Sequence, residues 1–232
     1  MKKTPAFVSN CMIEIEHDRC FDILTPDERS YLFDNSIEMV YGPDEMVIKQ
    51  GTFASHILFL QKGLVKVFMG DNNKDLILKI IPENHFVGLS SFYGENHKFI
   101  YSVSAYVESK FLLIEESAFR ELLKRNPQFA FKILNIQNEN TAQVYSRFYC
   151  LTRKQSSGLV ADLLLCLSKR VFKSDKFHLP ITRTDFADLT GLSVESIMRI
   201  LKEFKRDGLI AVRGKNMEIL KTDTLELISQ FG

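Results

Sequence analysis

The chain has 232 residues, of which 45% are hydrophobic, and its 30 Lys and Arg nearly balance its 29 Asp and Glu. This composition excludes wholesale disorder and predicts one or two folded domains. No apolar run approaches the roughly 20 residues of a membrane span, and the first residues lack a signal peptide's apolar core. We therefore expect a cytoplasmic protein without a membrane partner. The four cysteines include no CxxC pair, which argues against a secreted disulfide scaffold or a structural zinc site.

The near-zero net charge would by itself argue against a nucleic-acid partner, but the charge is unevenly distributed. Residues 1–151 contain 16 basic and 19 acidic groups, whereas residues 152–232 contain 14 basic and 10 acidic groups. The net charge is therefore −3 before residue 152 and +4 after it. The two parts of the chain need different functional explanations.

Short apolar segments separated by glycines and prolines come first in the chain. We predict strands at EMVIKQ, HILFLQ, LVKVFM, DLILKII and FIYSVSAYV. Their lengths and their β-branched and aromatic content are typical of an all-β sandwich or barrel. LVKVFMGDNNKDLILKI is the clearest hairpin, because Gly, Asp and Asn at its centre suit a tight turn.

Two helices are predicted after these strands. EESAFRELLKRN forms the first and ends at Pro127, and a longer helix follows over residues 127–151. Its apolar residues recur at spacings of three, four or eight around one polar position, as the set Phe129, Ile133, Ile136, Asn140, Val144, Phe148 and Leu151. We interpret this stripe as a parallel dimer interface in which Asn140 fixes register. The alternative is a helix that simply covers the β-domain.

A polar hinge, LTRKQSS, precedes a helix at 158–172, a loop at 173–178 and then a helix-turn-helix pattern. The pattern consists of Phe186, Ala187, Gly191, Leu192, Ile197 and Ile200. Gly191 permits the positive φ of the turn, and Ser193 is the expected N-cap of the second helix. The alternative is an ordinary helical hairpin with a solvated basic face.

The second helix of this pair presents a polar outer face if Ile197, Ile200, Leu201 and Phe204 are buried. The outward residues are then Val194, Glu195, Met198, Arg199 and Lys202. Arginine can bind guanine through two hydrogen bonds, and glutamate can accept one from cytosine. LIAVRG and MEIL predict two short strands of a wing, whose tip carries Arg213 and Lys215 toward DNA phosphate.

With these elements in order, the chain resembles the Crp/Fnr family of bacterial transcription regulators over nearly its whole length. VIKQGTFASHILFLQKGLVKVF is similar to the family's effector domain, and ITRTDFADLTGLSVESIMRILKEFKRDGLI to its DNA-reading segment. The resemblance implies an α+β fold: a double-stranded β-helix of the cupin-like jelly-roll type, a long dimerisation helix and a winged helix-turn-helix. The expected domains are 1–126 for the effector β-roll, 127–151 for the dimerisation helix and hinge, and 152–232 for DNA binding.

The resemblance also assigns DNA contacts. Glu195 and Arg199 correspond to base-reading residues, and Thr182, Arg183 and Thr184 lie where phosphate contacts occur. Val194 before Glu195 is similar to the Fnr branch, but Met198 departs from its pattern. The full predicted set is Thr182, Arg183, Thr184, Ser193, Val194, Glu195, Met198, Arg199, Lys202, Arg213 and Lys215. We expect a homodimer on a palindromic site of double-stranded DNA, with RNA polymerase as a further partner if the protein is an activator.

The effector site departs from the cyclic-nucleotide binders of the family. Gly88 is retained, but Leu89 occupies the glutamate position, and Phe99 and Ile100 stand where an arginine and its hydroxyl partner are expected. No arginine occurs between residues 29 and 120, and a buried phosphate needs such a charge or a nest of amides. We therefore expect no binding of cAMP and leave the identity of any small-molecule effector open.

An iron–sulfur cluster is also not expected. Cys11 and Cys20 have the spacing of two ligands of the Fnr cluster, but Glu14 stands at the middle position and a fourth thiolate is missing. A redox-active pair of Cys11 and Cys20 stays open. We expect Cys150 and Cys166 to be core residues. The histidines have no metal-ligand spacing, so we predict neither a metal nor another cofactor.

The sequence leaves two other classes of function to consider. One is a redox- or ligand-sensing module whose C-terminal domain mediates protein contacts, in which Arg199 and Lys202 would have no role. The other is an enzyme built on a cupin-like β-roll, which would need inward His and carboxylate ligands that the strands lack. No nucleophile elbow, HExxH or GxxxxGK[ST] motif occurs, so we expect no enzymatic activity.

Overall fold

A computed structural model describes residues 17–71, 74–92 and 97–232 of the chain. The described chain divides into two compact units, and the boundary between them along the sequence lies between Asn140 and Thr141. The first unit contains eight strands within the described residues. They are β1 Ser36–Tyr41, β2 Met46–Ile48, β3 His56–Lys62, β4 Leu64–Asp71, β5 Lys74–Pro82, β6 His85–Val87, β7 Ser102–Ala105 and β8 Ser109–Glu115.

These strands form two antiparallel four-stranded sheets, ordered β1-β8-β3-β6 and β2-β7-β4-β5. Strand β3 is buried on both faces, which explains its continuous apolar run. Leu58 and Leu60 face a core shared by both sheets, whereas Ile57 and Phe59 belong to a second core made with the helices. The expected β-roll, long helix and C-terminal helix-turn-helix are thus confirmed.

Sequence reasoning missed three of the strands and overextended two others. β1, β6 and β8 were not predicted, β2 is three residues long, and β7 begins only at Ser102. A short helix, α1 (Pro26–Asp34), was also missed. Its start is fixed by a capping box in which Thr25 accepts a hydrogen bond from the Glu28 amide, and Glu28 accepts one from the Thr25 amide.

Helix α2 (Glu116–Arg125) is followed by the long helix α3 (Pro127–Arg153). Asn126 caps α3, because its Oδ1 accepts a hydrogen bond from the Phe129 amide at 3.0 Å. Pro127 then occupies the first helical turn, where its missing N–H has no intrahelical partner to lose. The predicted helix over residues 127–151 is confirmed and extends two residues further.

The predicted dimer stripe on α3 is wrong at Phe129, Ile133 and Ile136. These three side chains are at most 7% exposed and lie in the core that the helices share with β3, β6 and β8. Asn140 accepts a hydrogen bond from Lys79 Nζ at 2.7 Å, so it is bound within its own unit. The amino-terminal half of this stripe covers the β-roll, as the alternative interpretation holds.

A buried polar contact ties the segment before α1 to α3. His17 is 4% exposed, and its Nδ1 accepts a hydrogen bond from the Phe86 amide at 3.2 Å. Its Nε2 lies 3.7 Å from Oε2 of Glu139, which is also buried. Burial lowers the pKa of His17, although Glu139 acts in the opposite direction. The folded chain therefore favours the neutral imidazole more strongly than the unfolded chain does.

The second unit contains four further helices and a three-stranded sheet of order β10-β11-β9. The elements are α4 Ser156–Cys166, β9 Lys176–His178, α5 Arg183–Thr190, α6 Val194–Arg206, β10 Ile210–Arg213, β11 Asn216–Ile219 and α7 Thr222–Phe231. A π-helical turn, Leu167–Val171, extends α4. No helix among the described residues is long and apolar enough to cross a membrane.

Two predictions for this unit need correction. The expected polar hinge shortens to Lys154 and Gln155, because α3 continues to Arg153 and α4 begins at Ser156. The expected loop at 173–178 contains strand β9, which pairs with β11 through Phe177 and Met217. Both side chains are buried, and this explains why the segment pairs despite its polar composition.

Candidate nucleic-acid interface

The first helix of the pair, α5, begins at a capping box. Thr182 Oγ1 accepts a hydrogen bond from the Asp185 amide at 3.1 Å, and the Asp185 carboxylate accepts one from the Thr182 amide at 2.8 Å. Asp185 is buried, whereas Arg183 and Thr184 are exposed on the first turn. The cap therefore holds the predicted phosphate-contact residues at the surface at a helix N-terminus, which favours anions.

The turn between α5 and α6 depends on Gly191. Its φ is +70°, and its amide donates to the Ala187 carbonyl at 2.8 Å. A Cβ at this position would meet nothing within 4 Å, so the glycine serves the backbone angle and not a close packing contact. Ser193 then caps α6, because its Oγ accepts from the Ser196 amide at 3.2 Å.

Helix α6 is strongly two-sided. Ile197, Ile200 and Phe204 are at most 5% exposed, and the predicted buried face is confirmed, with Leu201 partly exposed at its edge. On the other side Glu195, Arg199 and Lys202 are exposed, and Val194 and Met198 are half-buried. A helix held by one apolar face presents these five side chains together.

Arg199 has one ion-pair partner within its own helix. Its Nη1 lies 3.3 Å from Oε1 of Glu203, one turn further along, and the two side chains are 64% and 41% exposed. An exposed i, i+4 pair of this kind contributes only about 0.3–0.5 kcal/mol. It orients the guanidinium along the helix without burying it.

The wing is a hairpin of β10 and β11 in which Arg213 pairs with Asn216. Gly214 is the first residue of the two-residue turn and has a φ of +61°, and tight hairpin turns of this length require a positive φ. Arg213 and Lys215 are both exposed at this tip. β9 adds the third strand, and its His178 Nδ1 lies 3.2 Å from Asn216 Oδ1. The predicted wing is confirmed as a basic hairpin.

Two of the predicted effector positions, Gly88 and Phe99, lie against each other in the β-roll. Gly88 has a φ of +95°, and a Cβ there would lie 3.2 Å from the Phe99 ring. The Gly88 amide donates to the Tyr101 hydroxyl at 3.0 Å, and burial raises the pKa of Tyr101. Sequence reasoning missed Tyr101, because only pairing across the roll brings it to Gly88.

The other two predicted effector positions carry no charge. Leu89 packs against the core shared with the helices, and Ile100 is 36% exposed. Phe99 is 8% exposed and belongs to the core between the sheets. None of the four predicted effector positions therefore supplies the cationic side chain that a buried phosphate needs.

The structure supports no metal site in the part of the chain that it describes, where no three His, Cys, Asp or Glu side chains are grouped to hold an ion. Cys20 is fully buried, Cys150 is 2% exposed and Cys166 is half-buried. Cys11 and Glu14 lie outside the described residues. The question of a redox-active pair of Cys11 and Cys20 therefore stays open.

Comparison with known proteins agrees with this architecture. The family model described as the cyclic nucleotide-binding domain matches residues 38–126, and the Crp-like helix-turn-helix domain matches residues 160–228. The transcriptional activator Anr of Pseudomonas protegens is 25% identical over 193 residues, which are 81% of this chain and 78% of Anr. The cAMP-activated regulator CRP of Escherichia coli is 28% identical over 187 residues, 78% of this chain and 89% of CRP.

Among solved structures, FixK2 from Bradyrhizobium japonicum has a TM-score of 0.78 at 18% identity, covering 85% of this chain and 98% of FixK2. A β-roll, a long helix and a winged helix-turn-helix together define a transcription regulator with an N-terminal effector-type domain. The chain belongs to the Crp/Fnr family of these regulators.

Proposed function

We propose that this protein is a homodimer that recognises a palindromic DNA sequence through α6 and the wing. The observation that carries the proposal is the exposure of Arg199 and Lys202 on a helix whose opposite face is buried. Arg199 would bind guanine through two hydrogen bonds, and Glu195 would accept one from a cytosine amino group. Arg183, Arg213 and Lys215 would contact phosphates on either side.

The dimer interface that we propose is a second stripe on α3, which overlaps the predicted one only in its carboxy-terminal half. Exposed positions alternate at spacings of three and four, as the set Phe131, Leu134, Asn138, Thr141, Tyr145 and Phe148. Phe131, Tyr145 and Phe148 are each at least 64% exposed. This spacing is that of a coiled-coil seam, and Asn138 holds the inner position at which a polar residue sets register.

Val144 and Phe148 from the predicted stripe remain part of this proposed interface, since they are 63% and 70% exposed. Leu151 is half-buried at its end. A two-fold dimer of this kind would place two reading helices in successive major grooves, about 34 Å apart. The bound site would therefore be a palindrome with one half-site for each protomer.

We propose further that the effector domain does not bind cAMP. The Gly88 amide is already hydrogen-bonded to Tyr101, and Phe99 occupies the space beside it. Isothermal titration of the dimer with cAMP is expected to give no saturable heat. Saturable binding with one site per protomer would overturn this part of the proposal.

The remaining partners follow from the class of protein. A regulator of this kind acts on cytoplasmic DNA, and activation would add RNA polymerase as a partner. We expect the protein to have no catalytic activity. A sensing module that uses its C-terminal domain for protein contacts would leave the exposed cationic side chains of α6 without a use, and it is the less favoured function.

In vitro selection from a random pool of duplex DNA tests the proposal directly. The purified protein should enrich one motif with two inverted half-sites at a fixed separation. Mutation of the recovered half-site should abolish binding, whereas base substitutions in the spacer that keep its length should leave binding nearly unchanged. Failure to enrich any motif would overturn sequence-specific binding, and enrichment of an unrepeated half-site would overturn the dimeric mode.

A further inference from the structure

A buried ion pair lies at the point where α3 ends. Lys154 directly follows the last residue of the helix, and its Nζ donates to Asp162 Oδ1 on α4 at 2.7 Å. The two side chains are only 8% and 6% exposed. A charged pair this deeply buried differs from the surface ion pairs elsewhere in the unit, which are screened by solvent.

A third residue joins the pair to α7. Lys154 Nζ also donates to Ser229 Oγ at 2.8 Å, and Ser229 Oγ donates to Asp162 Oδ1 at 3.1 Å. Ser229 is 5% exposed. The three side chains therefore form a closed triangle that connects the end of α3, the middle of α4 and the last turns of α7.

The backbone around this triangle is tightly packed. The Gln155 amide donates to the Gly232 carbonyl at 3.0 Å, and a Cβ on Gly158 would collide with that carbonyl oxygen. Helix α4 in turn packs against α5 and α6. A continuous set of packed elements thus leads from Lys154 to the reading helix.

We expect the triangle to contribute more to the orientation of α3 than to the stability of the fold. Apolar side chains of similar size often stabilise a fold as well as a buried ion pair does. A lysine in this position, however, needs a buried carboxylate at hydrogen-bonding distance, and only one placement of the helix end provides it. If α3 tilted or rotated, the buried ammonium group of Lys154 would lose its hydrogen bond to Asp162.

We propose that Lys154, Asp162 and Ser229 are positioning residues that fix the direction of the carboxy-terminal end of α3 relative to α4 and α7 within the second unit. This inference rests on the proposed dimer, in which Phe148 lies six residues before Lys154, about 9 Å along the helix. If dimer contacts are made on α3 and base contacts on α6, the triangle determines the separation of the two reading helices. It thereby sets which half-site spacing the dimer accepts.

The test compares spacing preference in the full-length dimer. The double variant Lys154→Met with Asp162→Leu replaces the ion pair by apolar groups of similar length. Binding is measured on the selected palindrome and on versions with one base pair added to or removed from the spacer, which rotates one half-site by roughly 35°. The wild type should lose at least about tenfold in affinity on the altered spacers, and the variant less than about threefold.

The matched control is the pair Lys169 and Glu226, which links the turn after α4 to α7 at the surface. Its side chains are 36% and 39% exposed, so Lys169→Met with Glu226→Leu should keep the wild-type spacing profile. A merely structural role for the triangle would lower affinity equally on all spacers. An unchanged profile in the Lys154 and Asp162 variant would overturn the inference.

A second variant covers the case in which the double variant does not fold, as judged by circular dichroism. Ser229→Ala keeps the ion pair and removes one side of the triangle. Its loss of affinity on the altered spacers should be smaller than that of the wild type but larger than that of a protein that does not discriminate between spacers. A wild-type profile in Ser229→Ala would then overturn the proposal. Absence of any palindrome bound by the wild type would instead overturn the proposed function itself.

Discussion

The ring of Phe99 lies directly over Gly88, close enough that a Cβ on that glycine would be 3.2 Å from Phe99 Cε1. Both residues are buried, and the Gly88 amide donates a hydrogen bond to the hydroxyl of Tyr101, two residues after Phe99. The glycine is retained here for two reasons, its φ of +95° and the space that Phe99 takes. Phe99, one of the predicted effector positions, is thus part of the hydrophobic core between the sheets.

Replacing Gly88 by alanine should therefore destabilise the β-roll more than a backbone angle alone would. We expect a loss of about 1–2 kcal/mol from the positive φ and a further loss of about 1–3 kcal/mol from overpacking against Phe99. Urea unfolding of the variant measures the sum. Gly51→Ala is the control, because Gly51 has a φ of +83° with nothing within 4 Å of a Cβ. Equal losses in the two variants would contradict the close contact.

Arg199→Ala should weaken binding to the selected palindrome by about 1–3 kcal/mol and relax the preference at one base position. The physical reason is the loss of the proposed contact with guanine through two hydrogen bonds. Fluorescence anisotropy on the selected site and on single-base variants measures both effects. Arg120→Ala on α2 removes the same charge from the other unit and should leave affinity unchanged. Uniform weakening on all sequences would identify Arg199 as a phosphate contact instead.

Phe148→Asp should convert the protein to monomers that remain folded, because Phe148 is 70% exposed on the proposed dimer face. Ile136→Asp on the same helix should behave differently. Ile136 is fully buried in the core beneath α3, and an unpaired charge there is expected to cost more than about 3 kcal/mol and unfold the first unit. Sedimentation velocity and circular dichroism separate the two outcomes. A dimeric Phe148→Asp variant would reject the proposed interface.

The stability of the first unit should fall in mild acid because of His17. Its pKa is lowered in the folded state, chiefly by burial, so below the ordinary value of 6.5 the unfolded chain binds a proton that the folded chain does not. Stability is thus fully present above pH 6.5 and declines as pH falls toward the folded-state pKa, by at most about 1.4 kcal/mol per pH unit. The groups around the ring are Glu139, His85, Lys79 and Lys132.

Urea unfolding at a series of pH values checks this prediction in His17→Asn against the wild type. The variant should lose the part of the slope that arises between pH 6.5 and the folded-state pKa. His178→Asn controls for the loss of a histidine, because His178 is exposed on the wing. An identical pH dependence in wild type and His17→Asn would show that another group carries the acid sensitivity.

The DNA-reading region could be predicted closely because its signals are local. Gly191, Ser193 and Gly214 each meet a backbone requirement within a few residues of their own position. The apolar side of α6 follows directly from helical periodicity. No distant part of the chain is needed to orient these residues, so one sequence suffices.

Helix α3 shows where such reasoning fails. It carries two apolar stripes, one through Phe129, Ile133 and Ile136 and another through Phe131, Leu134 and Phe148. Helical periodicity is compatible with either stripe and does not say which one the β-roll covers, because that depends on β3, β6 and β8, whose core residues lie between 15 and 79 residues earlier in the chain. The contact of Tyr101 with Gly88 is hidden for the same reason: it depends on how the roll closes.

Arg199 and Glu203 form an ion pair on the outer face of α6 before any DNA is bound. The pair is exposed and contributes only about 0.3–0.5 kcal/mol. Every DNA site that Arg199 would contact requires the same pair to break, so the cost lowers affinity equally for all sites and does not discriminate between them. Glu203 would therefore orient the guanidinium along the helix in the free protein and release it at small cost when a guanine offers two acceptors.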